Sequence, residues 1–105
     1  MNMAREQFQT LTEPMYYILL ALLEECCGVD IMEKVRELSQ GRVVVGPGTL
    51  YAMLAKFEYN DVIRLTVSEG RRKSYVITKL GRDMLQREYQ RLKTMVQDGG
   101  LLEEK

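Results

Sequence analysis

A chain of 105 residues with 46% apolar content is sized for one domain with a modest core. Its 15 Lys and Arg balance 15 Asp and Glu, and it has no histidine, which removes the His-dependent hydrolytic triads and the usual nitrogen ligand of a metal site. No run approaches the roughly 18 apolar residues of a membrane span, and the first residues lack the pattern of a secretory leader. The expectation is a cytoplasmic protein with no membrane partner.

The zero net charge hides a split. Residues 42–82 hold eight basic side chains (Arg42, Lys56, Arg64, Arg71, Arg72, Lys73, Lys79 and Arg82) against three acids (Glu58, Asp61 and Glu69), a surplus of five that the rest of the chain cancels. Such a distribution can present one positive face to a polyanion while the whole molecule stays neutral.

In chain order, residues 1–10 are polar and read as loose, or as a weak helix through Phe8. From Thr12, a candidate N-cap, apolar residues recur at Met15, Ile18, Leu19, Leu22, Leu23 and Cys26, the spacing of one helical face. Gly28 is expected to end this helix. Cys26 and Cys27 are adjacent, a poor arrangement for a disulfide and the wrong spacing for zinc. They read as small residues closing a buried helix, with a thiol redox switch as the other reading. Asp30 and Glu33 have capping-box spacing for a second helix, which is expected to bury Ile31, Val35 and Leu38 and to stop at Gly41. Val43, Val44 and Val45 read as a short extended piece.

Pro47 suits the first turn of a third helix. Leu50, Met53, Leu54 and Phe57 form its buried stripe, and Gly48, Ala52, Ala55 and Tyr59 its opposite face, flanked by Thr49, Tyr51 and Lys56. A face of small residues lets a helix approach the floor of the major groove. Two strands (62–67 and 74–77) follow, with turn chemistry at Ser68, Glu69 and Gly70 and the triplet Arg71, Arg72, Lys73 at or just after the tip. The last helix, from about Lys79 to Asp98, spaces Leu85, Tyr89, Leu92 and Val96 as an a/d seam over two heptads. A chain this small cannot cover so long a seam alone, so a second copy is expected on it. Gly99 and Gly100 are expected to end the helix, with a frayed acidic tail beyond.

The fold expected from these elements is mainly α with a minor β component (α+β). It is a winged helix-turn-helix with a two-stranded β-wing and a long C-terminal dimerisation helix. The DNA-binding part covers residues 11–78 and the dimerisation helix residues 79–98. Candidate DNA contacts are Thr49, Tyr51, Ala52 and Lys56 on the third helix and Arg71, Arg72 and Lys73 on the wing. The dimer residues are Leu85, Tyr89, Leu92 and Val96. Tyr16, Tyr17, Tyr89 and Leu92 are candidates for an apolar-walled pocket taking a small aromatic or cationic effector. There is no paired-carboxylate site, and Gly46-Pro47-Gly48 lacks the Gly-Lys-Ser/Thr ending of a phosphate loop. No enzyme, cofactor or metal site is therefore expected.

Three segments carry a resemblance: Leu11-Thr12-Glu13 with Ile18 to Leu22, then Gly46-Pro47-Gly48-Thr49-Leu50-Tyr51, and Arg71 to Thr78 with Gly81. With them the chain resembles the short form of the PadR family of winged-helix transcriptional regulators. The resemblance implies a homodimeric, sequence-specific repressor on operator DNA, its dimer built by the C-terminal helix packing on the partner's first helix. Three positions depart from the family pattern. Cys27-Gly28-Val29 stands where His-Gly-Tyr is usual, Asp61 where glycine is common, and Leu92 where some drug-binding members carry tryptophan. The alternatives are a winged-helix module that docks on an acidic protein, and a repressor controlled by oxidation of Cys26 or Cys27.

Overall fold

The computed structural model describes residues 10–104, so the expectation for residues 1–9, including any helix through Phe8, lies outside the described residues. Four helices and a three-stranded antiparallel sheet follow in the order α1 (Glu13–Ala21), β1 (Cys26–Cys27), α2 (Gly28–Leu38), α3 (Pro47–Tyr59), β2 (Ile63–Glu69), β3 (Arg72–Ile77) and α4 (Lys79–Asp98). A 3₁₀ segment, Gly99–Glu104, extends α4 where a frayed tail was expected.

Thr12 caps α1 as expected, its hydroxyl accepting from the Met15 N–H at 3.3 Å. The helix then ends at Ala21, well before Gly28. The Leu22 carbonyl is taken by the Ile77 N–H at 2.8 Å, and Cys26 and Cys27 pair with Tyr75 and Ser74 of β3. The cysteines are therefore a short strand beside the wing, not the end of a helix. The expected two-stranded wing gains a third strand, with β3 in the middle.

Helix α2 begins at Gly28, so Asp30 lies inside its first turn instead of capping it, and Cys27 at the N-cap makes no side-chain bond. An acid in the first turn still favours the helix through the macrodipole. The helix stops at Leu38, which is 45% exposed and not the core residue its spacing suggested. The stop is a Schellman motif: Gly41 N–H donates to the Arg36 carbonyl at 2.8 Å and Gln40 N–H to Glu37 at 3.1 Å. Gln40 (φ 55°) occupies the left-handed position usually given to glycine. Buried Ser39 then holds the next loop, its Oγ accepting from the Val43 N–H at 2.9 Å. Val43 and Val45 turn inward while Val44 faces out, without joining a sheet.

The same motif ends α3. Val62 N–H donates to Phe57 at 2.9 Å and Asp61 N–H to Glu58 at 3.1 Å, with Asp61 at φ 61°. The next link ties α4 to this point. Thr78 donates its N–H to the Val62 carbonyl at 3.0 Å, and its Oγ1 lies 2.6 Å from the Asp61 carbonyl and 2.9 Å from that of Val62. The same Oγ1 accepts from Gly81 N–H at 3.0 Å, capping α4. A side chain at Gly81 would collide with the Val62 carbonyl and come within 2.8 Å of Ile77 Cγ1.

One core joins all of this: Ile18 and Leu19 from α1 with Leu22 just after it, Ile31 and Val35 from α2, Leu50, Leu54 and Phe57 from α3, Val62, Ile63, Tyr75 and Ile77 from the sheet region, and Met84 and Leu85 from α4. Only the first half of α4 takes part. Its buried residues are Gly81, Met84, Leu85 and Glu88, and the rest projects from the body. The chain measures 57 × 36 × 21 Å with a radius of gyration of 15.0 Å, against about 13 Å for a compact chain of this length.

Two substitutions at the α3–α4 junction should act in opposite directions. Gly81→Ala should cost at least about 2 kcal/mol, because backbone and not a flexible side chain blocks the added methyl. Asp61→Gly should gain about 0.5–1 kcal/mol by relieving a left-handed non-glycine residue. Thermal unfolding followed by circular dichroism reads both, and equal melting temperatures for the two variants would contradict the packing described.

Candidate nucleic-acid interface

Helix α3 starts on Gly46, with no side-chain cap, and Pro47 in its first turn. It buries Leu50, Leu54 and Phe57 and half-buries Met53. At 100° per residue this leaves an exposed arc of Gly48, Thr49, Tyr51, Ala52, Ala55, Lys56, Glu58 and Tyr59. Asn60 closes the helix, its Nδ2 donating to the Lys56 carbonyl at 2.8 Å.

The wing forms by local turn chemistry. Glu69 pairs with Arg72 across a two-residue loop, Gly70-Arg71. Of these two only Gly70 has a positive φ, 60°, the pattern of a type II′ turn with glycine first. A bulge between Leu65 and Val67 inserts Thr66 and adds twist lower down. Arg71 thus sits at the tip, and Arg72 and Lys73 lead β3 with their side chains on opposite faces.

The seven candidate DNA residues fall on two flanks of α3. Thr49, Ala52 and Lys56 share an open notch of about 440 Å³ with Met15 of α1. Tyr51 faces the other way, into a groove of about 470 Å³ that it shares with Glu58, Arg71, Lys73 and Tyr75. Gly28 makes room for it, since a Cβ there would lie 3.1 Å from the Tyr51 ring and hydroxyl. Tyr75 is buried. Burial pushes its phenol pKa up, and nearby Glu58 and Tyr51 add to the shift. Arg72 lies with Cys27, Val29 and Asp30, beside the start of α2. Sequence reasoning missed Met15, read as one more residue of a core face. It also missed Glu58, which brings a carboxylate among the wing cations. Arg42, counted in the basic surplus, is committed elsewhere: it pairs with Glu13 and donates to the Tyr17 hydroxyl at 2.7 Å.

The expected dimer and effector residues lie along α1 and α4. Leu85 is part of the chain's own core, Leu92 is half-buried, and Tyr89 and Val96 are 47% and 75% exposed. Tyr16 and Tyr17 meet edge to face at 5.7 Å. Burial raises the Tyr16 pKa, with Tyr17, Tyr89 and Glu88 adding to the rise, so Tyr16 sits within reach of α4. Tyr17 is turned toward Arg42, whose guanidinium stands 5.7 Å from its ring centre.

The sequence profile of the transcriptional regulator PadR-like family matches residues 18–87. The chain belongs to this family. Its members are transcriptional regulators that bind DNA, and not enzymes. A PadR family transcription regulator from Clostridium difficile is similar in structure, with 26% identity over 83% of this chain and 96% of that one and a TM-score of 0.67. A transcriptional regulator from Clostridium thermocellum shares 25% identity over 79% of this chain and 86% of its own, also at a TM-score of 0.67. H. salinarum RosR has the same fold, at 21% identity and a TM-score of 0.65, covering 90% of this chain and 97% of that one. An uncharacterised 37.1 kDa transposon protein of Streptomyces fradiae is 34% identical over 61 residues, which is 58% of this chain. The chain spans 17% of the length of that curated relative. Among the described residues, no helix is long and apolar enough to cross a membrane.

One charged group in this PadR-family chain was not legible in its sequence. Glu88 on α4 is 4% exposed. It accepts two bonds from Arg91, both at 2.8 Å, and one from the Leu11 N–H at 3.0 Å, which ties the lead-in of α1 to α4. The Arg91 bonds hold its pKa below the ordinary carboxylate value, and the Leu11 bond adds to them against the opposing effect of burial. The network therefore contributes stability above the unfolded pKa of about 4, and loses it as pH falls through the lower folded value. Glu88→Gln should cost about 1–3 kcal/mol at neutral pH and flatten the fall in melting temperature between about pH 5 and 3. An unchanged acid slope in the variant would contradict this account.

Proposed function

We propose that this PadR-family protein is a homodimeric, ligand-responsive repressor that occupies operator DNA through residues 11–78 and dimerises through residues 79–98. The observation that carries the proposal is the uncovered half of α4. Tyr89, Met95 and Val96 are 47%, 56% and 75% exposed, on a helix that projects beyond the body. An apolar seam left open in this way is an interface for another chain. Its heptad spacing fits a second copy of the same helix and, as the family resemblance implies, the partner's α1.

In this reading Thr49, Ala52 and Lys56 enter the major groove, while Tyr51, Arg71, Arg72 and Lys73 engage the flanking phosphates. The basic surplus of residues 42–82 suits either polyanion, and it is membership of a family of transcriptional regulators that supports DNA over an acidic protein as the partner. An effector would bind where α1 meets α4, among Tyr16, Tyr89 and Leu92 with Tyr17 at the edge. Both outer rings already hold side-chain cations, Arg42 over Tyr17 at 5.7 Å and Lys93 over Tyr89 at 5.9 Å, which supports a cationic or aromatic ligand. Such a ligand releases DNA only by favouring a dimer geometry whose two α3 helices no longer match the operator. Control by oxidation is the weaker reading. Burial raises the Cys26 thiol pKa, which keeps the reactive thiolate scarce.

Val96→Glu tests the dimer without touching the chain's own core. The wild type should sediment as a dimer at tens of micromolar, and the variant as a folded monomer. Its DNA affinity should fall at least about tenfold, because the second half-site is no longer held near the first. A monomeric wild type, or a monomeric variant binding as tightly as wild type, would overturn the proposal.

A further inference from the structure

The notch beside α3 differs in chemistry from the wing groove. Its lining is Met15, Gly48, Thr49, Ala52, Met53 and Lys56, so Thr49 and Lys56 supply its only polar side chains. Met15 and Met53 are half-buried against the core, and the other four are exposed. Gly48 is not a packing requirement, since a Cβ there would meet nothing within 4 Å. Its small size keeps the mouth of the notch open. Of the side chains that pair with purine edges through two hydrogen bonds, the exposed arc of α3 holds Lys56 but no Arg, Asn or Gln. A helix with this surface reads DNA mostly by shape and apolar contact. The apolar group that the major groove offers is the 5-methyl of thymine.

We propose that this notch receives the 5-methyl group of a thymine in each half-site, with Met15 of α1 forming part of its wall. Met15 thereby becomes a specificity-determining residue outside the helix-turn-helix itself. The inference rests on α3 being the DNA-reading helix. The methyl enters among the Met15, Ala52 and Met53 side chains and the Thr49 methyl, while Lys56 beside it attracts the phosphates or a guanine edge. Lys56 is the one lining side chain of the notch able to pair with a neighbouring purine edge, so discrimination at the thymine itself comes from the methyl.

The test uses the full chain and a duplex enriched by it from a library with a randomised centre of about 24 base pairs, enough for two half-sites one turn apart. Each thymine of the enriched duplex is replaced in turn by deoxyuridine, which removes only the methyl, and affinity is read by fluorescence anisotropy. At one position in each half-site the replacement should weaken wild-type binding about fourfold, the effect of one methyl group returned to water. Met15→Ala should bring the ratio of thymine to deoxyuridine affinity toward one at that position, and Met15→Leu should preserve it. A variant damaged in folding would lose both affinities together and leave the ratio standing, so the ratio isolates the contact. If no thymine responds, or if the ratio is unchanged in Met15→Ala, the inference is wrong while DNA reading by α3 survives. If no sequence is enriched at all, both fail.

Discussion

Helix α3, the wing and α4 meet at the carbonyl of Val62. It accepts the Thr78 N–H at 3.0 Å and lies 2.9 Å from the Thr78 hydroxyl, while the Val62 N–H closes the end of α3 on Phe57. Gly81 comes so close to the same carbonyl that no side chain is tolerated there. Main-chain bonds, the Thr78 hydroxyl and the close packing of Gly81 together hold the end of α3 to the start of α4. In the proposed reading, with α3 on DNA and α4 paired, this junction is what links the geometry of the dimer to the spacing of the reading helices.

Electrostatics divides the surface along the same lines. The wing cations Arg71 and Lys73 share one groove with Tyr51, Ala55 and Glu58, while Gly48, Thr49, Ala52 and Lys56 line the notch on the other flank of α3. Arg42 and Arg91 are withdrawn into pairs with Glu13 and Glu88. The first braces the loop before α3 against α1, and the second lies within α4 and holds the Glu88 carboxylate that accepts from the Leu11 N–H. A molecule of zero net charge can still offer a basic edge, because the acids that balance it lie in excess outside residues 42–82.

Elements with strong local punctuation were legible from the sequence. Helix α4 begins after Thr78, whose hydroxyl and Gly81 make a cap within one turn, and α3 is bracketed by Pro47 and Asn60. The misreadings share a cause in distant partners. Nothing near Leu22 signals that Ile77 will claim its carbonyl, and the Leu22, Leu23 and Cys26 spacing suits a helix face as well as a strand edge. Strand β1 is two residues long and exists only because β3 is there to pair with it. Gln40 and Asp61 end helices in conformations that composition assigns to glycine, so those ends were set by the Schellman bonds themselves. At the candidate site, the residue types were apparent, but their separation into two flanks depended on the orientation of α3. Met15 was hidden because a half-buried methionine at helical spacing looks like core.

In the proposed reading the α3–α4 junction, doubled by pairing of α4, sets two reading helices at the repeat of B-DNA. Hydroxyl-radical footprinting on a duplex the protein selects tests this arrangement. Two protected patches related by a two-fold axis are expected, their centres about 10 base pairs apart or at a whole multiple of that spacing. A single protected patch, or two patches whose separation drifts with the sequence between them, would contradict it.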